Sequence, residues 1–431
     1  MLPPSCFRFT LVLLLCSFPL IAAENSQHKQ ALKSAIAKQL IELNVSDSGQ
    51  LSEDDLSLFA KKLNGARIVG LGEQTHGAGS VFKLKTQLIK YLHKHHNYDL
   101  FILESGMYDV KKLWEKMKQG QRLKSLAPGN IFYMYANSDE VTPLFDYIDQ
   151  QANGSTPLTL VGFDSQHTGS YSNKNLVDEL QLALKALPEP LHNSTSWAQF
   201  KENLQHVLNT STKRLPSQQE QEFFEQLSAI AQQFLKYSSL NNRVLEQNLN
   251  EKIAKDNATN NGFWYRITKG LAAQAKRQWQ IADNRSQEMG ENIKWWAEQY
   301  PNKKIIVWAH TWHLTKAGNN QINAGNVVSN AFGKNYYMIH FTGASGDYLD
   351  YGTLKEQALD SPSLLSIETI AVNNSKADIE FLNVSDINTK NNPINVFSND
   401  YQQVLSANEW PKYWDGIFII NKIKPASYHA K

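Results

Sequence analysis

The chain has 431 residues, and its 43 Lys and Arg against 41 Asp and Glu leave a formal net charge of only +2. The basic residues are interspersed with acidic ones, which argues against a nucleic-acid or membrane-surface protein. Both cysteines, Cys6 and Cys16, lie at the amino terminus, so disulfides, thiol nucleophiles and Cys-ligated zinc are excluded from the rest of the chain.

Residues 1–23 read as a secretory signal peptide. Arg8 supplies the positive start, residues 9–22 the apolar run, and Ile21-Ala22-Ala23 a cleavage site before Glu24. The apolar run is too short to span a bilayer, and no later segment is apolar enough, so the mature protein is expected in the periplasm or outside the cell with no membrane span. Residues 24–431 then form one unit. Residues 24–62 predict two helices, with Leu32, Ile36 and Leu40 on one face of the first. Continuous apolar runs predict strands at 66–72, 100–104, 158–164, 304–310, 336–342 and 416–421, with helical periodicity at 81–93 and 110–118 between them. Residues 174–300 hold no convincing strand and predict a helical insertion, ending in one long helix from about 261 to 299. The tail at 361–410 reads as loops with short strands. The alternation predicts an α/β fold: a mostly parallel central sheet with helices on both faces, plus a large helical insertion lobe.

Four of the strands end in polar residues. The first closes on Gly72-Glu73-Gln74-Thr75-His76-Gly77, the second on Glu104, the third on Asp164, and the fourth on His310 with His313 just beyond. Ligands of open α/β sheets bind outside the carboxyl ends of the strands, and buried carboxylates and imidazoles are costly unless paired. The convergence of these side chains therefore reads as a site. There is no Gly-x-Ser-x-Gly elbow, no His-Glu-x-x-His helix, no phosphate loop and no GxGxxG after the first strand. Ser105 follows a strand but lacks the paired glycines of an elbow. What remains is His/Glu chemistry on water, or a metal held by the same side chains. His93, His95 and His96 read as solvated residues of a helix end, and Trp295, Trp296 and Trp308 as core or groove wall.

The segment IVGLGEQTHGAGSVFKLKTQLIKYL resembles the signature of the erythromycin esterase family, whose turn is commonly Gly-Glu-Ala-Thr-His-Gly. The resemblance continues through LFILESG, IFYMYANSDEVTPLFDYI, LVGFDSQ, NRSQEMGENIKWW and KIIVWAHTWHL, in family order. The chain departs from the pattern at Gln74, Ser286, His313 and in the aromatics of 131–136. The resemblance implies an α/β fold with a helical lobe and a hydrolase without a covalent serine. His76 would be the general base on water, with Glu73 and Glu104 orienting it. His310 would bind or protonate the oxyanion and leaving alcohol, and Lys85 and Arg285 would be the cations for developing charge. Asp164, His313 and Trp312 would bind substrate. The implied partner is a small-molecule ester, a macrolide among the candidates, with no cofactor.

Two other classes stay open. One is a metallohydrolase or peptidase using Glu73, His76, Glu104, His310 and His313 as ligands. The other is a haem- or ligand-binding protein, which a Soret band on haem titration would reveal. For the leader, amino-terminal sequencing of the exported protein should begin at Glu24; a product that begins at Met1 would overturn the signal reading.

Overall fold

The structure, a computed structural model, describes residues 30–31, 33–188, 196–244, 251–317, 322–364, 366–387, 395–398, 403–406 and 409–429. The leader expected at 1–23 lies outside the described residues. Among the described residues the main sheet has eight strands. Six precede or build its centre: β1 (Ile41–Leu43), β2 (Ile68–Glu73), β3 (Leu100–Gly106), β4 (Thr159–Asp164), β5 (Ile305–His310) and β6 (Tyr336–Gly343). The others are Ile379–Asn383 and Gly416–Ile420. Across the sheet the order is β1, Ile379–Asn383, Gly416–Ile420, β6, β2, β5, β3, β4. From Gly416–Ile420 to β4 every pairing is parallel, and Ile379–Asn383 runs antiparallel to both its neighbours.

The continuous apolar runs form central strands because both faces are covered. Side chains of a strand alternate between faces. Ile68, Ile305, Val307 and Met338 join one core, which is shared with the helical lobe. Val69, Leu71, Ile306, Trp308 and Ile339 join the other, which packs against helix Gly79–His96. Each fully buried aliphatic side chain contributes roughly 1.5–3 kcal/mol, so the two layers hold the sheet rigidly. The helix Gly79–His96 buries Val81, Leu84, Lys85, Leu88 and Leu92 and ends at Asn97 in the left-handed conformation (φ 59°).

Among the described residues, five helices lie between β4 and β5: Ser170–Lys185, Ser196–Leu208, Ser217–Val244, Glu251–Gln278 and Arg285–Gln299. The long helix expected at 261–299 is therefore two. The break follows Gln278, where Gln280 takes φ 55°, and Asp283 accepts a hydrogen bond from the Arg285 N–H to open the second helix. The amino-terminal region also differs from expectation. A helix is present before residue 38 and a second at Glu53–Lys62, but Ile41–Leu43 between them is an edge strand. The tail contains helix Ile367–Asn374 and a strand of the main sheet at Ile379–Asn383, besides the short strands Asn395–Ser398 and Gln403–Ser406. No helix among the described residues is long and apolar enough to cross a membrane.

The strand order places β2 at the middle, with β6 on one side and β5 on the other. Chain connections from β2 and from β5 leave in opposite directions there, the topological switch where open α/β sheets bind ligands. The turn after β2 is pinned, since the Gly77 carbonyl accepts from Leu349 N (3.0 Å) and Ala426 N (2.8 Å). A Cβ on Gly77 would stand 1.6 Å from the Leu349 carbonyl oxygen. Gly77→Ala should therefore displace the 347–358 hairpin and cost about 1–3 kcal/mol in denaturant unfolding; an unchanged midpoint would contradict this packing.

Candidate active site

The register of the sheet sets the site. Glu73 pairs laterally with His310 across β2 and β5. The pairing of β3 with β4 shifts between Leu103 and Gly106, an irregularity of the kind that re-aims side chains, and Glu104 sits in it. These strand ends floor a cavity of about 630 Å³. Glu104, Asp164, Arg285, His310, His313, Trp312 and His76 all line it, so the structure brings together most of the residues singled out in the sequence.

Glu73 is fully buried and its carboxylate is saturated with donors. Oε2 takes the Lys85 ammonium in a short ion pair. Oε1 accepts from His76 Nδ1 (3.2 Å) and from the Tyr135 hydroxyl. Burial alone would raise the Glu73 pKa, but Lys85 and His76 outweigh it and hold the carboxyl well below the usual range. Because Glu73 only accepts, His76 carries its proton on Nδ1 and presents the Nε2 lone pair elsewhere. Among the described residues, Nε2 has no protein partner, and the ring borders the cavity. Phe132 (centroids 4.8 Å), Tyr351 (5.3 Å) and His310 (5.0 Å) pack around the ring and fix its plane.

Lys85 does not occupy the place expected of it. It is 0% exposed, behind Glu73, and does not border the cavity. Its ammonium donates to the Leu71 carbonyl (2.7 Å) and lies 5.0 Å from the Trp308 ring and 5.2 Å from that of Phe341. Burial lowers its pKa to about 8, with Glu73 pulling it back up. Its cationic role is exerted on Glu73, not on a substrate.

His310 is also committed. Its Nε2–H donates to the Gln74 carbonyl (3.0 Å), and Nδ1 accepts from Trp312 N (3.1 Å). In this conformation both nitrogens hold backbone and tie the β5 end to the β2 turn, while the residue still borders the cavity. Glu104 accepts from His310 N (2.8 Å) through Oε2, and its Oε1 faces Arg285 and His313, each at 3.4 Å. Arg285 clamps Asp164 with two hydrogen bonds, Nε–Oδ1 at 3.0 Å and Nη2–Oδ2 at 2.7 Å. Burial would lower the Arg285 pKa, but Asp164 more than compensates, so it stays a cation at the cavity wall. His313 Nδ1 meets Ser286 Oγ at 2.9 Å. Burial and the Arg285 charge push its pKa well down, so it is neutral.

Ser105 borders the cavity, and its Oγ accepts from Phe132 N (2.9 Å), which ties that segment to the end of β3. His93, expected to be solvated, is buried between the Tyr147 hydroxyl (2.7 Å) and the Thr156 carbonyl (3.1 Å). Trp295, Trp296 and Trp308 are buried in the cores as expected. Tyr135 was not anticipated. Its only signal was its place in the aromatic IFYMYAN block.

Glu73, His76 and Glu104 each offer a ligand atom, and these atoms lie within 4.8 Å of one another, the spacing of a metal site. The Lys85 ammonium on Glu73 opposes this use, since a metal cation would have to share a carboxylate already neutralised.

Residues 93–403 match the erythromycin esterase family. The chain belongs to that family. The match begins after the Glu73–His76 turn. A Bacillus subtilis (strain 168) protein named "Putative hydrolase YbfO" is 30% identical over 342 residues, 74% of this chain and 74% of that protein. The family and this relative are those of hydrolases. The fold is shared with a Bacillus cereus protein of known crystal structure (TM-score 0.70, 21% identity, 93% of this chain and 99% of that one). It is shared as well with a mutant of the erythromycin esterase EreC in its open conformation (TM-score 0.65, 15% identity, 90% and 98%).

The Glu73–Lys85 pair makes a stability prediction. Lys85→Met leaves a buried carboxylate unpaired, which should cost about 3–5 kcal/mol at neutral pH. Because the folded Glu73 pKa is depressed, the pair's contribution is full above the unfolded value of about 4.3 and is lost as pH falls through the folded value. Denaturation against pH should therefore show a penalty for Lys85→Met that shrinks in acid; a penalty independent of pH would contradict the pairing.

Proposed function

We propose that the protein is an exported hydrolase of carboxylic esters that opens a macrolide lactone with a water activated by His76. One observation carries the reading: His76 is held through Nδ1 by an ionised, buried Glu73, while its Nε2 lone pair is unclaimed beside the cavity. In the proposed reaction, Nε2 takes a proton from water as the oxygen adds to the ester carbonyl. Glu73 stabilises the imidazolium, and the Arg285 guanidinium on the wall favours the negative charge that builds on the carbonyl oxygen. Collapse of the tetrahedral intermediate breaks the acyl–oxygen bond, and the imidazolium returns its proton to the leaving alkoxide. Atoms balance as one ester plus one water giving acid and alcohol. The cavity volume lies within the usual range for small-molecule sites, which supports a substrate of that class.

The spacing of Glu73, His76 and Glu104 favours a second reading, metal-assisted hydrolysis. Those three residues would hold the ion, which would supply an activated water. Elemental analysis of the purified protein separates the two, since stoichiometric zinc or manganese that persists through dialysis would favour the metal.

For the first reading, a panel of macrolides and simple esters should give products heavier by one water. His76→Ala should reduce kcat by about 10²–10⁴-fold, the usual contribution of a general base. No turnover across the panel, or full activity in His76→Ala, would overturn it.

A further inference from the structure

The cavity has two unlike ends. Across the sheet β2, β5, β3 and β4 are consecutive neighbours, so the chain leaving β2 and the chain leaving β4 stand about 14 Å apart, three strand spacings. The β4 end offers hydrogen-bonding groups, Gln166, Thr168 and the Asp164–Arg285 pair. The β2 end is aromatic. Phe132 and Tyr351 pack edge-on against the His76 ring and meet each other (6.5 Å), and Tyr133 adjoins Phe132 (4.9 Å). All three rings border the cavity.

Tyr351 differs from the other two in how it is held. It sits at the turn of the 347–358 hairpin, where the backbone is fixed on either side of it. Leu349 N donates to the Gly77 carbonyl (3.0 Å), and the Tyr133 hydroxyl donates to the Tyr351 carbonyl. Asp350 Oδ1 accepts from Thr353 N and Thr353 Oγ1, both at 2.7 Å, and Leu354 N donates to the Asp350 carbonyl (2.7 Å). The side chain, by contrast, is 43% exposed, and its hydroxyl makes no hydrogen bond to a described residue. An aromatic ring carries a large apolar area. Here the chain that bears the ring is already ordered, while much of the ring is left uncovered beside the base. A ligand that covers it gains the burial without the entropy cost of ordering the hairpin.

We propose that Tyr351 is a specificity-determining residue: its ring is the platform on which the apolar group of an ester lies when the carbonyl is at His76, and it makes the enzyme favour bulky apolar esters over short ones. Tyr133 is then a positioning residue, acting through the Tyr351 carbonyl. The proposal rests on the reading of the cavity as an ester site, and its test separates the two claims.

Two series of substrates are measured, 4-nitrophenyl esters of acids from acetic to hexanoic, and acetates of alcohols from ethanol to hexanol. In at least one series, KM should fall about two- to fourfold per added methylene. Tyr351→Ala should raise KM for the hexyl member about tenfold and for the shortest member far less. The loss should fall on KM rather than kcat, as for an interaction made equally in the ground and transition states. Tyr351→Phe keeps the ring and should restore the dependence on chain length. Tyr133→Phe keeps both rings but releases the Tyr351 carbonyl, and should give an intermediate loss. The matching amides, 4-nitrohexananilide and N-hexylacetamide, read the same contact by calorimetric titration without turnover. If no ester is hydrolysed, or His76→Ala stays fully active, while Tyr351→Ala weakens the binding of either amide about tenfold, the general-base reading fails and the platform stands. If esters are hydrolysed through His76 but Tyr351→Ala leaves the chain-length dependence intact, the platform is overturned and the base reading stands. Amide affinities that Tyr351→Ala does not change overturn the platform whatever the turnover.

Discussion

The site depends on a buried ion pair. Glu73 ends a central strand, where no water reaches its carboxylate, and it can be charged there only because Lys85 meets it from helix Gly79–His96. The ionised carboxylate in turn fixes which nitrogen of His76 carries the proton. The rings of Phe132, Tyr135 and Tyr351 pack around the His76 ring and set its plane, with Trp308 behind Tyr135. The cost of the pair is met by the surrounding close packing and by backbone carbonyls that take the remaining Lys85 protons. The site and the sheet are therefore one construction. A second network meets it through Glu104, where Asp164, Glu104 and His313 gather around Arg285.

The central sheet could be read from the sequence because its strands are covered on both faces and so carry unbroken apolar runs. Ile68–Glu73, Ile305–His310 and Tyr336–Gly343 are buried at every position, and each was anticipated within a residue or two. The edge was not. Ile41–Leu43 is three residues long with one fully buried side chain, and it exists because Ile379–Asn383 is there to pair with it. Nothing local marks a strand whose stability is tertiary. The split of the expected long helix near Gln278 had a local cause, the left-handed Gln280 and the Asp283 bond, but neither residue type forces a break.

In the site, chain position could be read and orientation could not. Glu73, His76, Glu104, Asp164 and His310 all lie at strand ends, as the pattern required. The resemblance implies a substrate-facing cation at Lys85, but the structure buries it. The spacing Val81, Lys85, Leu88, Leu92 places it on the buried stripe of its helix, which is the signal for an ammonium destined for a buried partner. The bonds of His310 to Gln74 and Trp312 could not be read, because they depend on the path of the β2 turn. Tyr135 was hidden for a similar reason. It comes from a four-residue helix between sheet strands, and only the packing of that segment brings its hydroxyl to Glu73.

The central claim is that water, activated by His76, attacks the substrate, with Glu73 orienting His76 and stabilising its imidazolium. Single-turnover hydrolysis of an ester in heavy-oxygen water, with the intact mass of the enzyme followed in parallel, tests this most directly. The account predicts one heavy oxygen in the acid formed in the first turnover and no mass-shifted enzyme. Ordinary oxygen in that acid, or an acyl adduct on the protein, would show that a side chain attacks instead and would contradict it.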